Sequence, residues 1–392
     1  MKKKIIILGS TGSIGKNTFN LIMKDKKNFE IKLLSTNKNI SEIIKQAKIS
    51  KVKDLIINDY DKYILAKKKY KNLRVNFHNS FSIIDKLFKK REIFYSMISL
   101  VGLDGLKPTL QLIRYSQNIA IVNKESLICG WTLIKKKLKK NKTNFIPVDS
   151  EHYSIFSLIE KNLVPIEKIY ITASGGPFLN RKKNNFSKIT VSDALRHPSW
   201  RMGKKISIDS ATMMNKVFEL IEAKKIFNLD LKKIDILINP NSYVHAIVIF
   251  NNGTIKFLAH ETRMDIPIFN SIYQLNNNAF YKTKNIDLNK INNLNLSQPN
   301  IKHFKTLNIL KLIPSKDSLF ETVLISVNDE LVRMFLNNEI KYEKLLYYLL
   351  KIIKFPNFKK YCKVRPNSIK DILKTNKLAK NFVKNYVKYK KY

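Results

Sequence analysis

Two carboxylates flank a serine at Asp149-Ser150-Glu151, followed by His152, in a chain with 73 basic and 30 acidic residues. The stretch comes directly after a strand-like run, NFIPV. An extended backbone sends Asp149 and Glu151 out on one face and turns Ser150 the other way, unless the chain turns there. Two like charges that close are costly without a cation. A hard divalent ion such as Mg2+ or Mn2+ relieves the repulsion and takes oxygen ligands. Alone, the pair is equally well read as a solvated acidic turn, so the metal reading needs a third carboxylate. The run Ser207 to Glu219 offers one. There Asp209 or Ser210 can cap a helix with Val217, Leu220 and Ile221 on its apolar side. Asn215 and Glu219 are at i and i+4, hence on one face, with Lys216 adjacent. Such a face can meet a metal and an anionic sugar phosphate together, Ser210 and the helix N-terminus adding neutral phosphate donors.

A second constellation lies at the start of the chain. Gly9-Ser10-Thr11-Gly12-Ser13-Ile14-Gly15 stands between a first strand, KKIIIL, and a helix. Backbone N–H groups in such a loop can hold a pyrophosphate at the helix N-terminus. A glycine loop alone is a weak signal, because many strand-to-helix turns use glycine for positive φ or close packing. Support comes from the end of the second strand. Where an NAD enzyme offers Asp or Glu to the ribose, this chain offers Ser35-Thr36-Asn37-Lys38-Asn39. A cation with amide donors suits a 2′-phosphate, which makes NADPH the expected cofactor.

The elements needed to carry these groups are visible as patterns. Strand-like and helix-like runs alternate through FEIKLLST, DLIIND, YSMISLVG, QNIAIVNK and NFIPVDS, the signature of a parallel sheet wound with helices. After about residue 150 the pattern becomes mixed. The pair IDILINP and YVHAIVIFNNGTIKFLAH carries an Asn-Asn-Gly turn, which predicts a hairpin. An Asn-rich stretch then reads as a linker, and SLFETVLISVNDELVRMFLNN, YEKLLYYLLKII and the C-terminal run have helical spacing whose Tyr and Phe stripe reads as core. The expected fold is α/β: a Rossmann-like NADPH domain (1–148), a central α+β region (149–280), a linker (281–311) and a C-terminal helical domain (312–392).

The formal charge of +43 raises the question of nucleic acid, but the lysines run from Lys2 to Lys391 without clustering, so no specific nucleic-acid partner is expected. No apolar stretch approaches the roughly 20 residues that span a bilayer, and the N-terminal IIIL is too short for a signal core. Neither a membrane partner nor export is expected. Cys129 and Cys362 fit neither a disulfide framework nor a metal clip. They read as buried small apolar residues in a reducing compartment, the cytoplasm.

Taken together, GSTGSIG, VGLDGLKPTL, VNKESL, PVDSEH, TASGGPF, RHPSWRMGKKISIDSATMMNK and FELIEA resemble the 1-deoxy-D-xylulose 5-phosphate reductoisomerase family, in the family's order. The resemblance implies metal ligation by Asp149, Glu151 and Glu219, with Mg2+, Mn2+ or Co2+. It implies substrate contacts from Ser150, Ser174, His197, Ser210, Asn215 and Lys216. Of these, Ser174, Ser210, Asn215 and Lys216 are nearest the phosphate. Lys124 matches a lysine at the substrate's reacting end. Thr11, Gly12, Ser13, Ile14, Asn37, Lys38, Asn39, Asn123, Glu125 and Gly203 match cofactor contacts. The implied partner beyond the substrate is a second copy, as a homodimer made by the central region. Asn37 stands where the family usually has glycine, Thr262-Arg263-Met264-Asp265 departs from the usual order Asp-Met-Arg, and SVNDE only approximates an Ala-Asn-Glu motif.

The implied reaction is a skeletal rearrangement of 1-deoxy-D-xylulose 5-phosphate followed by hydride transfer, giving 2-C-methyl-D-erythritol 4-phosphate. His197-Pro198-Ser199-Trp200-Arg201-Met202-Gly203 is too polar and interrupted for a strand or helix, and the resemblance implies that it is a lid over the substrate, with Gly203 able to act as its hinge. Two rivals are weighed against this. Another NADPH oxidoreductase with a Rossmann domain, such as a semialdehyde dehydrogenase, needs a nucleophilic cysteine or a different polar set, and an RNA-binding protein would use the tail NFVKNYVKYKKY.

Overall fold

The structure, a computed structural model, describes the chain except residues 161, 182, 201, 274–278, 284–286 and 391–392, and the side chains of 183–185. Arg201 of the expected lid therefore lies outside the described residues. The chain divides into two compact units: Met1–Leu127 with Leu133–Tyr153 and Met264–Thr283, and Ile128–Thr132 with Ser154–Arg263 and Lys284–Tyr392.

In the first unit, seven strands make a wholly parallel sheet: β1 Lys3–Leu8, β2 Phe29–Thr36, β3 Asp54–Ile57, β4 Asn76–His78, β5 Ile93–Ile98, β6 Ser116–Ile121 and β7 Asn144–Pro147. Their order is β4-β3-β2-β1-β5-β6-β7, the Rossmann-like winding expected from the alternating pattern. Strand β1 is central, and Ile5 to Leu8 are all fully buried. That is why this run is continuously apolar rather than alternating, since a parallel sheet is covered on both faces. Residues 264–283, grouped by their pattern with the region 149–280, pack with this unit. Ile268 and Ile272 on helix Asp265–Tyr273 join the core of Ile5 and Ile22. The Ser271 hydroxyl meets Tyr95 Oη at 2.7 Å, and Tyr273 donates to Asp25 at 2.7 Å.

In the second unit, β8 Ile166–Ala173, β9 Ile234–Ile238, β10 Val244–Phe250 and β11 Ile255–Ala259 form a sheet in the order β11-β10-β8-β9. Strands β10 and β11 make the expected hairpin, with Gly253 at φ +79°. Helix Met214–Ile226 packs on β8 and β9. The register puts Ile169, Ile171, Ile236, Ala246 and Val248 together on a buried face. The opposite face carries Tyr170, Leu237, Ile247, Ile249, Ile255 and Phe257, which are partly or fully exposed. The C-terminal helices Phe320–Leu336, Tyr342–Ile352 and Ile369–Tyr389 belong to the same unit. The stretch expected as a linker does more than span: Thr306, Leu307 and Ile309 are buried in the 3-10 helix Lys305–Leu312, and Ser297 bridges to Ile238. The TLNIL run supplies apolar side chains on the side that packs. Among the described residues no helix is long and apolar enough to cross a membrane.

Candidate active site

All first-unit site residues fall at the carboxyl ends of strands, where an open parallel sheet binds ligands. After β1, Gly9 adopts φ +80°, and a Cβ there would lie 2.5 Å from the Ser99 carbonyl oxygen. A Cβ on Gly15 would come within 2.2 Å of the Gly9 oxygen. These two positions therefore exclude a side chain and let helix Ser13–Lys24 start against the strand. Gly12 is its N-cap and offers no side-chain cap. The loop is tied to the end of β2: Ser35 Oγ accepts from Gly9 N at 2.9 Å, and the Thr11 and Thr36 hydroxyls meet at 2.7 Å. Asn37, Lys38 and Asn39 are exposed, and Asn39 caps helix Ile40–Ser50. The Lys38 ammonium lies 3.4 Å from Asp59 and is otherwise open to solvent.

After β6, Asn123 caps helix Lys124–Asn141. Its amide oxygen accepts from Ser126 N at 2.5 Å, and its nitrogen donates to the Leu100 and Gly102 carbonyls at 2.7 Å. That side chain ties two strand ends together. Lys124 and Glu125, both buried, follow in the first turn.

The opening pair sits after β7 in a different conformation from the one expected. Helix Ser150–Ile159 begins at once, and the Asp149 carbonyl accepts from Tyr153 N at 2.7 Å. The amphipathic run SEHYSIFSLI outweighs an extended continuation of the strand. Asp149 and Glu151 still offer carboxylate oxygens within 4.8 Å of each other. Ser150 does not point away; its hydroxyl donates to Glu151 at 2.5 Å. Lys124 forms an ion pair with Asp149, and His152 Nδ1 lies 3.8 Å from the same carboxylate.

The second unit gathers the rest. Ser174 follows β8, and its hydroxyl meets His197 Nε2 at 3.1 Å. His197 Nδ1 accepts from Ser199 N at 3.1 Å and Trp200 N at 2.9 Å. Burial first, then the Lys216 charge, holds the imidazole at about 4, so it is neutral at pH 7. Gly175 and Gly176 turn at φ +84° and +67°, and a Cβ on Gly176 would stand 2.8 Å from the Ser210 carbonyl oxygen. This close approach brings the TASGG turn against Ser210.

Asp209 and Ser210 do not cap the following helix. They lie inside helix Lys204–Ala211, and helix Met214–Ile226 starts from Met213 at φ +60° without a side-chain cap. The shared face is as the spacing predicts: Asn215 Nδ2 donates to Glu219 at 2.5 Å, and Lys216 pairs with the same carboxylate. Lys216 and Glu219 are buried. Gly203 has φ −65°, which any residue adopts, and open space where a Cβ would go, so neither backbone conformation nor packing requires glycine there. Trp200 leans edge-on to His245, centroids 6.1 Å apart.

Sequence reasoning missed the Met213 turn, since a methionine gives no hint of a left-handed backbone. It also missed the stacked His245–His260 pair, centroids 3.7 Å apart, whose signal would have been their cross-strand placement.

Neither rival gains support. Burial pushes the Cys129 thiol well up and raises Cys362 as well, the opposite of an activated nucleophile. Phe382 and Tyr386 of the C-terminal run are half-buried against Phe355, Phe358 and Tyr348, whereas Tyr389 is exposed.

Three family models match: 1-deoxy-D-xylulose 5-phosphate reductoisomerase over residues 5–130, its C-terminal domain over 145–227, and DXP reductoisomerase C-terminal domain over 260–382. A relative of that name from Pelagibacter ubique (strain HTCC1062) is 54% identical, covering 95% of this chain and 97% of its own. One from Clostridium novyi (strain NT) is 36% identical, covering 98% and 99%. The Zymomonas mobilis enzyme, solved with NADPH, superposes with a TM-score of 0.87 at 27% identity over 99% of both chains. A reductoisomerase solved with NADPH, fosmidomycin and magnesium gives 0.90 at 25% identity over 99% of both chains. The glycine loop, the acidic pair beside Lys124 and the Asn215-Lys216-Glu219 face are thus carried by a chain that belongs to the 1-deoxy-D-xylulose 5-phosphate reductoisomerase family.

Proposed function

We propose that the chain catalyses the NADPH-dependent rearrangement and reduction of 1-deoxy-D-xylulose 5-phosphate to 2-C-methyl-D-erythritol 4-phosphate, in non-mevalonate isoprenoid precursor synthesis. The observation that carries this reading is the Asp149/Glu151 pair with the Lys124 ammonium beside it, at the carboxyl edge of a dinucleotide-type sheet. Asp149, Glu151 and Glu219 present only carboxylate oxygens, a donor set that fits Mg2+ or Mn2+, with Co2+ a further candidate. A metal bound by them supplies Lewis-acid polarisation of the substrate's ketone and neighbouring hydroxyl.

The chain's own groups do the rest. Lys124 stabilises the oxyanion that develops as the carbon skeleton rearranges. Ser150 orients the hydroxyls. Ser174, Ser210, Asn215 and Lys216 take the phosphate, and neutral His197, held by two backbone N–H groups, presents its Nε2 side to the substrate. Residues Thr11 to Ile14, Asn37 to Asn39, Asn123, Glu125 and Gly203 hold NADPH, which supplies the hydride, and the protein supplies orientation. The segment His197 to Gly203 closes over the substrate and excludes water from the aldehyde intermediate. In functional terms residues 1–148 bind cofactor, 149–280 carry catalysis, metal and dimerisation, and 281–311 connect to the helical domain 312–392.

The open face of the four-stranded sheet, where Tyr170, Leu237, Ile247, Ile249, Ile255 and Phe257 surround the Lys168–Asp235 ion pair, supports a homodimer through that face, since a largely apolar exposed sheet surface in water favours a self-complementary partner. Two free, distant thiols support a cytoplasmic location.

The direct test mixes purified protein with 1-deoxy-D-xylulose 5-phosphate, NADPH and Mn2+, following the absorbance of reduced cofactor. Oxidation that needs both substrate and metal is expected. A failure to turn over with all three present would overturn the reading.

A further inference from the structure

Helix Lys204–Ala211 meets helix Met214–Ile226 at a tight elbow that carries Ser210 on one arm and Asn215, Lys216 and Glu219 on the other. Met213 sits at its corner with φ +60°, a conformation costly for a side chain of that size. Something beyond the two helices must hold it. Three side chains from three separate C-terminal segments reach the elbow. Thr306 donates its hydroxyl to the Thr212 carbonyl at 2.6 Å, Tyr342 donates to the Ala211 carbonyl at 2.7 Å, and Asn328 Nδ2 donates to Asp209 Oδ1 at 2.8 Å. All three donors are buried. Ala211 and Thr212 end a helix, where carbonyls lose their intrahelical partners and must find others. Burial pushes the Tyr342 phenol far up, so it stays a donor at any working pH. Asp209 also pairs with Lys205 at 2.8 Å, and Lys205 reaches Asp329, beside Asn328, at 3.2 Å.

We propose that Thr306, Asn328 and Tyr342 are positioning residues: the 3-10 helix Lys305–Leu312 and the C-terminal helices together act as a jig that fixes the Ser210/Asn215/Lys216 elbow in the shape that receives the substrate's phosphate. This rests on the assignment of the phosphate to that elbow. A left-handed methionine is costly, so the corner keeps this shape only where surrounding contacts hold it. The side-chain donors hold this one, because Thr306 and Tyr342 meet the Thr212 and Ala211 carbonyls, and Asn328 the Asp209 carboxylate, in this arrangement. The segment containing SVNDE, remote in sequence from every substrate contact, thereby becomes part of substrate recognition.

Tyr342→Phe and Thr306→Val test it, since each keeps the shape and removes only the hydroxyl. The Tyr342 ring packs edge-on to Phe178 with centroids 5.2 Å apart, a contact that phenylalanine preserves. Each variant is expected to raise KM for 1-deoxy-D-xylulose 5-phosphate roughly three- to tenfold, as for one lost hydrogen bond, while KM for NADPH stays within about twofold. Combined with Ser210→Ala, Tyr342→Phe should raise KM by less than the product of the single effects, because both act through one elbow. A lower melting temperature with unchanged substrate KM would show the hydroxyls to be merely structural and overturn the proposal. So would no change in either variant, or a strictly multiplicative double variant. Ser210→Ala with unchanged KM sinks the phosphate assignment itself, an outcome readable without the C-terminal variants, and the proposal falls with it.

Discussion

Replacing His197 by asparagine should flatten the acid side of the stability profile. The wild-type imidazole is held at about 4, below its ordinary 6.5, by burial and then by the charge of Lys216. Its Nδ1 accepts from two backbone N–H groups, so a proton arriving there would face two donors and lose both bonds. The folded value lies below the unfolded one, hence the unfolded chain binds the proton more readily. The stabilisation is complete above about pH 6.5 and is lost as pH falls from there through about 4. At pH 5 those two values correspond to about 2 kcal/mol. The ring keeps some contact with solvent, so halving this for screening leaves about 1 kcal/mol. His197→Asn retains an acceptor near the Nδ1 position and has nothing to titrate. Urea unfolding of both proteins at pH 8 and pH 5, with equal m-values as a check, measures the difference. Wild type should lose about 1 kcal/mol more than the variant between the two pH values. Equal losses would refute both the neutral imidazole and its cause.

Glu219→Gln should abolish turnover and weaken Mn2+ binding while leaving KM for NADPH nearly intact; unchanged metal affinity on titration would sink the three-carboxylate site. Lys38→Ala should shrink the NADPH-over-NADH ratio of kcat/KM by roughly tenfold, for a lost charge-assisted contact of about 1.5 kcal/mol; a constant ratio means that another group reads the 2′-phosphate. In a variant lacking Trp131, the fluorescence of Trp200 should shift when a phosphonate substrate mimic and Mn2+ bind together, as the loop leaves its place beside His245. No shift, with unaltered protease sensitivity between Arg196 and Lys205, would mean the loop is fixed.

Much of this molecule is written locally. The run KKIIIL followed by glycines specifies a buried parallel strand and a loop with no room for side chains, and Gly9 and Gly15 meet backbone atoms where a Cβ would be. The spacing of Asn215 and Glu219 fixes their shared face, since helical periodicity holds whatever surrounds the helix. Asp149 and Glu151 were readable as a pair but not in their conformation, because a strand end and a helix start compete over the same four residues and packing decides between them. Lys124 and Asp149 are 25 residues apart, and Ser174 and His197 are 23 apart. No periodicity reaches that far; the pairing of β6 with β7 brings the first two together, and the path of the chain after β8 the second. The left-handed Met213, and the Thr306, Asn328 and Tyr342 side chains that meet its elbow, are further still from any local rule. Sequence alone determined which residue types were present to bind a metal, a phosphate and a dinucleotide. Tertiary structure decided which donor meets which carbonyl, because a buried polar group must be matched by whatever segment the fold delivers to it.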